Sequence, residues 1–383
     1  MTTGTLQHET LDDRSAGHEF DEPQTRSTDK SHRYSISGSI QCMNNALAAA
    51  VADIENLNRS ALLLSLNARI EASRAGGQSG QAFSVVSQEM QTLATQTSHV
   101  ARNLEKRTLA TLQDLRQITD TLATETLGTR LSDLALSNID LIDRNLYERT
   151  CDVRWWATDA SVVSAAKNPI PAVTKEASRR LEVILNAYTV YFDLVICDLA
   201  GNVIANGRPD NFRSVGSNHS SAPWFQAAME SRSGDIFGFQ TAHISSLANG
   251  RRILVYSCAV RENGSSTGRP IGVLAVVFNW DGLAQTIVEN VRLSPEEKDN
   301  GRACIVDSNG LILADSAGQQ LVETIRFRGQ EKLFAKSKDY LLTNINGKPV
   351  IVGHARSQGF ETYATGWHSL VIVSRQQSDD EDY

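Results

Sequence analysis

From Ile40 onward, apolar and small residues recur at alternating steps of three and four: Ile40, Met43, Leu47, Ala50, Ile54, Leu57, Ala61, Leu64 and Ala68. Such a heptad seam predicts a helix that packs along one stripe. It runs into Gly76-Gly77-Gln78-Ser79-Gly80, where three glycines in five residues withdraw helix propensity and permit the left-handed backbone of a tight turn. A second seam follows at Phe83, Val86, Met90, Leu93, Thr97, Val100 and Leu104. Neither stripe can be buried alone, so residues 40–108 are expected to form an antiparallel coiled-coil hairpin that pairs with further copies, as a dimer at least.

Beyond it, Leu112, Leu115, Leu122, Leu131, Leu134, Ile142 and Leu146 continue a looser helical period. Residues 109–166 are predicted to be a helical stalk with a soft point at Gly128, and Trp155-Trp156 to seal it against the C-terminal half of the chain. Lys167-Asn168-Pro169-Ile170-Pro171 breaks the helix, and residues 176–188 suggest one more short helix.

The remainder contains a repeat. Cys197-Asp198-Leu199-Ala200-Gly201-Asn202-Val203-Ile204-Ala205-Asn206 and Val306-Asp307-Ser308-Asn309-Gly310-Leu311-Ile312-Leu313-Ala314-Asp315 share an apolar run, Asp, two residues, Gly and a second apolar run. Asp caps a turn through its side chain and Gly supplies positive φ, so each copy predicts a strand-turn-strand hairpin. Strands are expected at 252–261 and 270–280 behind the first copy, and at 339–344, 348–355 and 368–374 behind the second, with Asn346-Gly347 as a hairpin turn. The fold class expected is therefore α+β: the hairpin and stalk, then two tandem PAS-like α/β units over 167–292 and 293–375. Residues 1–39 are polar and predicted to be a disordered tail, and 376–383 an acidic one.

The chain carries 44 acidic against 37 basic residues, a formal net charge of -7. That deficit of cations argues against general nucleic-acid binding. The five cysteines are isolated and no zinc-type spacing occurs, which suggests a reducing compartment and no metal site. Neither an apolar signal segment near the start nor an uninterrupted apolar run of ~18 residues is found, so a soluble, cytoplasmic protein without a membrane span is expected. Enzymatic signatures are lacking. Gly264-Ser265-Ser266-Thr267-Gly268 has the spelling of a nucleophile elbow, but it lies between two predicted strands, whereas that motif needs a strand feeding a helix.

These motifs carry two resemblances. Leu63-Leu64-Ser65-Leu66-Asn67-Ala68-Arg69-Ile70-Glu71-Ala72-Ser73-Arg74-Ala75-Gly76 and Phe83-Ser84-Val85-Val86-Ser87-Gln88-Glu89 resemble the signalling hairpin tip of methyl-accepting chemotaxis proteins. The resemblance implies that Asn67, Glu71, Arg74, Phe83 and Val86 contact a histidine kinase and a coupling protein. Arg59-Ser60-Ala61-Leu62 stands where that family usually has Glu-Gln-Thr-Asn, Gly77 where it has Glu, and one extra residue precedes Phe83. No methylation segment is found.

Residues 146–374 are similar to double Cache sensor domains, through the duplicated hairpins, Ala222-Pro223-Trp224-Phe225-Gln226-Ala227-Ala228 and Gly272-Val273-Leu274. That resemblance implies a small-molecule ligand in the first PAS-like unit, with Trp224, Phe225, Phe239 and Tyr256 as pocket walls. The amino-acid-binding subset uses an Arg, a Tyr and an Asp at positions occupied here by Ala222, Phe225 and Val277, so an α-amino acid would lose its charge partners. The function expected is a chemotaxis-type transducer sensing a cytosolic small molecule, with no cofactor and no catalysis of its own. The alternative is a ligand-binding scaffold whose hairpin only oligomerises.

Overall fold

The computed structural model describes residues 36–375. The expected tails lie outside that range, except that residues 36–39 open the first helix. The chain divides into two compact units after Asp120.

In the first unit, α1 (Ile36–Ala75) and the first part of α2 (Gly77–Trp156) lie antiparallel. Asn58 Nδ2 donates to Ser98 Oγ at 3.0 Å and Arg102 Nε to Glu55 at 3.1 Å, which fixes the register. The bend is a single residue, Gly76, and both Gly76 (φ 58°) and Gly77 (φ 65°) are left-handed. Gly80 has a packing role, because a Cβ there would stand 2.5 Å from the Ala72 carbonyl oxygen.

The buried stripes differ from the predicted seams. Within this pair the buried positions are Ile40, Val51, Asn58, Ser65 and Ala72 on α1 and Gly80, Ser87, Ala94, Ala101 and Leu112 on α2, of which Ile40 belongs to the predicted seams. Met43, Leu57, Leu64, Leu93, Val100 and Leu104, all assigned to seams, are exposed. Small residues bring the two helices close together, and the larger apolar ones face outward.

The second unit holds two five-stranded antiparallel sheets. β1 (Tyr191–Cys197), β2 (Val203–Asn206), β3 (Gly238–Ser245), β4 (Arg251–Arg261) and β5 (Pro270–Asn279) are ordered β2-β1-β5-β4-β3. β6 (Gly301–Val306), β7 (Ile312–Asp315), β8 (Lys338–Ile345), β9 (Lys348–Arg356) and β10 (His368–Ser374) repeat that arrangement as β7-β6-β10-β9-β8. Both duplicated turns form as expected. Asp198 accepts from the Ala200 and Asn202 amides, Asp307 from those of Asn309 and Leu311, and Gly201 and Gly310 have φ of 82° and 86°. Asn346 and Gly347 are left-handed between β8 and β9. β3 carries no strand signal in the sequence, since its Gly, Gln, Thr and His break any apolar alternation.

Three helices precede the first sheet: the C-terminal part of α2, α3 (Ala160–Lys167) and α4 (Pro171–Ala187). The expected stalk beyond residue 120 is core, with Leu131, Ala135, Ile139, Ile142 and Leu146 fully buried among residues of both sheets. Gly128 is no soft point. The helix runs through it, and a Cβ would lie 2.3 Å from the Tyr340 ring. Of the tryptophan pair only Trp156 seals the core, while Trp155 is 69% exposed.

Candidate functional site

Strand alternation decides where the four predicted pocket residues go, because successive side chains point to opposite faces of a sheet. Trp224 and Phe225 sit on α5 (Pro223–Met229), which Pro223 starts at a position where no helical N–H is needed. Both are buried against Val195, Val255, Val273 and Val277 on one face of the first sheet. Tyr256 shares parity with Leu254 and Cys258 and is buried on the opposite face, and Phe239 is its direct partner on β3. The expected pocket of all four residues is therefore corrected: they form two pairs divided by the sheet.

On the α5 face, the Trp224 ring lies 5.7 Å from His219 and 5.9 Å edge-on from Phe225. Ser257 Oγ donates to the Trp224 carbonyl at 2.6 Å, and His219 meets Ser217 Oγ at 3.0 Å. Burial holds the His219 imidazole below its ordinary pKa, so it is neutral near pH 7. Deeper in the same layer Asp193 accepts from Asn206 Nδ2 (2.7 Å) and from the Leu194, Gly207 and Arg208 amides. Burial pushes its carboxyl up to about 6, against the lowering effect of these four bonds. Asn206 Oδ1 and Ser214 Oγ are buried without a partner. Asn206 Nδ2 also donates to the Phe212 carbonyl at 2.9 Å.

The opposite face is an aromatic junction between the two sheets. Tyr256 and Tyr363 share a buried hydroxyl contact of 2.7 Å, Phe239 stands 5.0 Å from Tyr256 and 6.4 Å from Trp367, and Trp280 Nε1 donates to the Leu313 carbonyl at 2.7 Å. The α2 helix is latched to this layer by polar groups. Asp143 accepts from Ser357 Oγ (2.7 and 3.0 Å), the Gly359 amide (3.0 Å) and Thr365 Oγ1 (3.1 Å). Asp152 takes the Tyr191 hydroxyl, and Arg149 lies over the Tyr191 ring. Burial raises the pKa of both carboxyls. Sequence reasoning missed Asp143 and Asp152, which resemble any polar residue of a helix until β9 and the segment beyond it fold against them.

The five predicted tip residues stay together on the hairpin. Asn67, Glu71, Arg74, Phe83 and Val86 are all exposed around the Gly76 bend, Phe83 at 63% and Val86 at 57%. Glu71 and Arg74 form a solvent-facing pair at 3.5 Å.

The second unit is an α+β fold, a pair of like-ordered antiparallel sheets packed on one long helix. The family model described as Cache domain matches residues 81–380, and the chain belongs to that family. The sensory domain of the Campylobacter jejuni chemoreceptor Tlp3 matches with a TM-score of 0.50 at 13% identity, over 67% of this chain and 97% of that one. The ligand-binding domain of Pseudomonas fluorescens chemoreceptor CtaA with L-serine gives 0.46 at 19% identity, over 65% and 98%. The Toxin coregulated pilus biosynthesis protein I of Vibrio cholerae is 32% identical over 136 residues, which are 34% of this chain. The chain spans 20% of the length of that relative. Among the described residues no helix is long and apolar enough to cross a membrane.

Proposed function

We propose that the protein is a chemotaxis-type signal transducer in which a double Cache sensor binds a cytosolic small molecule and the hairpin tip controls a histidine kinase through a coupling protein. One observation carries this reading: α2 is a single helix from the Gly76 bend to Trp156, so the helix that presents Phe83 and Val86 is also the one latched through Asp143 and Asp152 to the sensor core. A ligand that favours one arrangement of the sheets biases the packing of α2 by the difference in its affinity for the two arrangements. Membership of the Cache family supports the sensing half. The exposed tip residues support the docking half.

A second reading has its own support. The outward stripe of Met43, Leu57, Leu64, Leu93, Val100 and Leu104 suits a second copy of the hairpin, and a scaffold that only oligomerises the sensor would need nothing more. Capture of purified coupling protein and kinase on the immobilised chain separates the two. Capture abolished by Glu71→Ala supports the transducer. Concentration-dependent oligomers without capture support the scaffold.

A further inference from the structure

The last turn of α2, the turn around Asp235 and the loop after β4 enclose a pocket of about 380 Å³. Neither Trp224 nor Phe225 lines it, so it is distinct from the α5 face. The loop is the Gly264–Gly268 stretch, whose Ser265 and Ser266 form part of the wall.

The pocket holds two guanidinium groups with no counter-charge of their own. Arg261 is 5% exposed and donates only to neutral acceptors: the Gly268 carbonyl (2.8 Å), the Ser231 carbonyl (2.5 Å) and Ser231 Oγ (3.2 Å). Its Nε is buried without a partner. Arg154 likewise donates to the Thr150 and Asp235 carbonyls and to Cys151 Sγ. Among the described residues neither forms an ion pair, although neighbouring arginines do, Arg149 with Glu148 and Arg269 with Glu262. A buried guanidinium lacking a carboxylate is costly, and an anion placed beside it offsets that cost.

The remaining lining sets the occupant's chemistry. Asp235 is the single carboxylate in the wall, so two cations against one anion leave room for one negative charge. Guanidinium forks match a planar carboxylate. The indole of Trp155, 69% exposed, offers an apolar surface that the core does not use, and the buried Ala157 and Ala259 line the wall beside it. We infer that this pocket binds a small monocarboxylate with an apolar body, its carboxylate held by Arg154 and Arg261 and its body against Trp155. Because one wall is α2 itself, an occupant ties the end of β4 to the helix that enters the hairpin.

Isothermal titration of the full chain with benzoate, at fixed ionic strength, tests this without any kinase present, so it succeeds or fails independently of kinase capture. Saturable one-to-one binding with a dissociation constant on the order of 1 mM or tighter is expected, with none for the uncharged isostere benzamide. Arg154→Gln should weaken binding at least about tenfold, the loss of a charge-assisted contact. Trp155→Ala should weaken it several-fold with an unchanged melting temperature, since Trp155 is outside the core. Absence of benzoate binding, equal binding of benzamide or of inorganic phosphate, or undiminished binding in both variants overturns the assignment.

Discussion

Replacing Gly353 by alanine tests the packing of α2 at its tightest point. A Cβ on Gly353 of β9 would stand 2.3 Å from the Leu131 carbonyl carbon and 2.5 Å from the Ser132 nitrogen, where ordinary contact begins at 3.4 Å. Helix and strand backbones must then separate locally by 3.4 − 2.3 = 1.1 Å. Neither can yield cheaply, because β9 is hydrogen-bonded on both sides, to β10 and β8, and Leu131 and Ala135 are fully buried. Overpacking a core costs about 1–3 kcal/mol, and a backbone-on-backbone clash belongs at the upper end, about 3 kcal/mol. At about 2–4 °C per kcal/mol for a unit of this size, the melting temperature should fall by roughly 6–12 °C. Gly128→Ala is the matched control. Its Cβ meets only side-chain atoms, the ring of the partly buried Tyr340, and no backbone, and a helix-interior alanine regains about 1 kcal/mol of propensity. Calorimetric melts of both variants, with hydrogen exchange across residues 121–156, read the difference. A Gly353→Ala melt within about 1 °C of the parent, or Gly128→Ala as the worse variant, refutes the reasoning.

Asp143→Asn should destabilise the sensor unit by about 2–3 kcal/mol in urea titrations, because the new amide presents donors to Ser357, Gly359 and Thr365, which themselves donate. Tyr256→Phe should cost about 1 kcal/mol by leaving the buried Tyr363 hydroxyl unpaired. Burial holds His354 at about 3 and His368 at about 4, so the unfolded chain takes up protons below its ordinary value of 6.5 that the native pair refuses. Their contribution is complete above pH 6.5 and declines as pH falls toward 4, by on the order of 1 kcal/mol per pH unit per histidine at most. Asp193, raised to about 6 from 3.8, acts oppositely: its contribution is complete below pH 3.8 and lost as pH rises through 6. The double variant His354→Gln, His368→Gln should therefore flatten the acid limb of a stability profile, whereas an unchanged limb contradicts the burial argument.

The bend and the duplicated turns were legible because they depend on local chemistry: glycines at positive φ and aspartates capping their own backbone two and four residues on. The helix seams were legible only in period. A three-four stripe of Leu, Val and Met looks like a core, yet the hairpin buries the adjoining stripe of Asn58, Ser65, Ala72, Ser87 and Ala94, which apolarity alone cannot nominate. Parity could pair Phe239 with Tyr256 once β3 was known to pair with β4, but the residue set of β3 gives no alternating signal. Trp224 and Phe225 were found through a motif, and their separation from Tyr256 depends on which face α5 covers. That is a tertiary fact. Asp143 and the Arg154–Arg261 pocket were invisible for the same reason, since the partners of Asp143 lie 214 to 222 positions away in sequence and the pocket is a cavity made by three segments.

The most direct test of the transducer reading is the rate of kinase autophosphorylation in a mixture of coupling protein, kinase and this chain. The parent chain is expected to change that rate several-fold, and Glu71→Ala or Phe83→Ala, both at exposed positions and neutral for stability, to abolish the change. A rate unaffected by the parent chain, or changed equally by the tip variants, would contradict it.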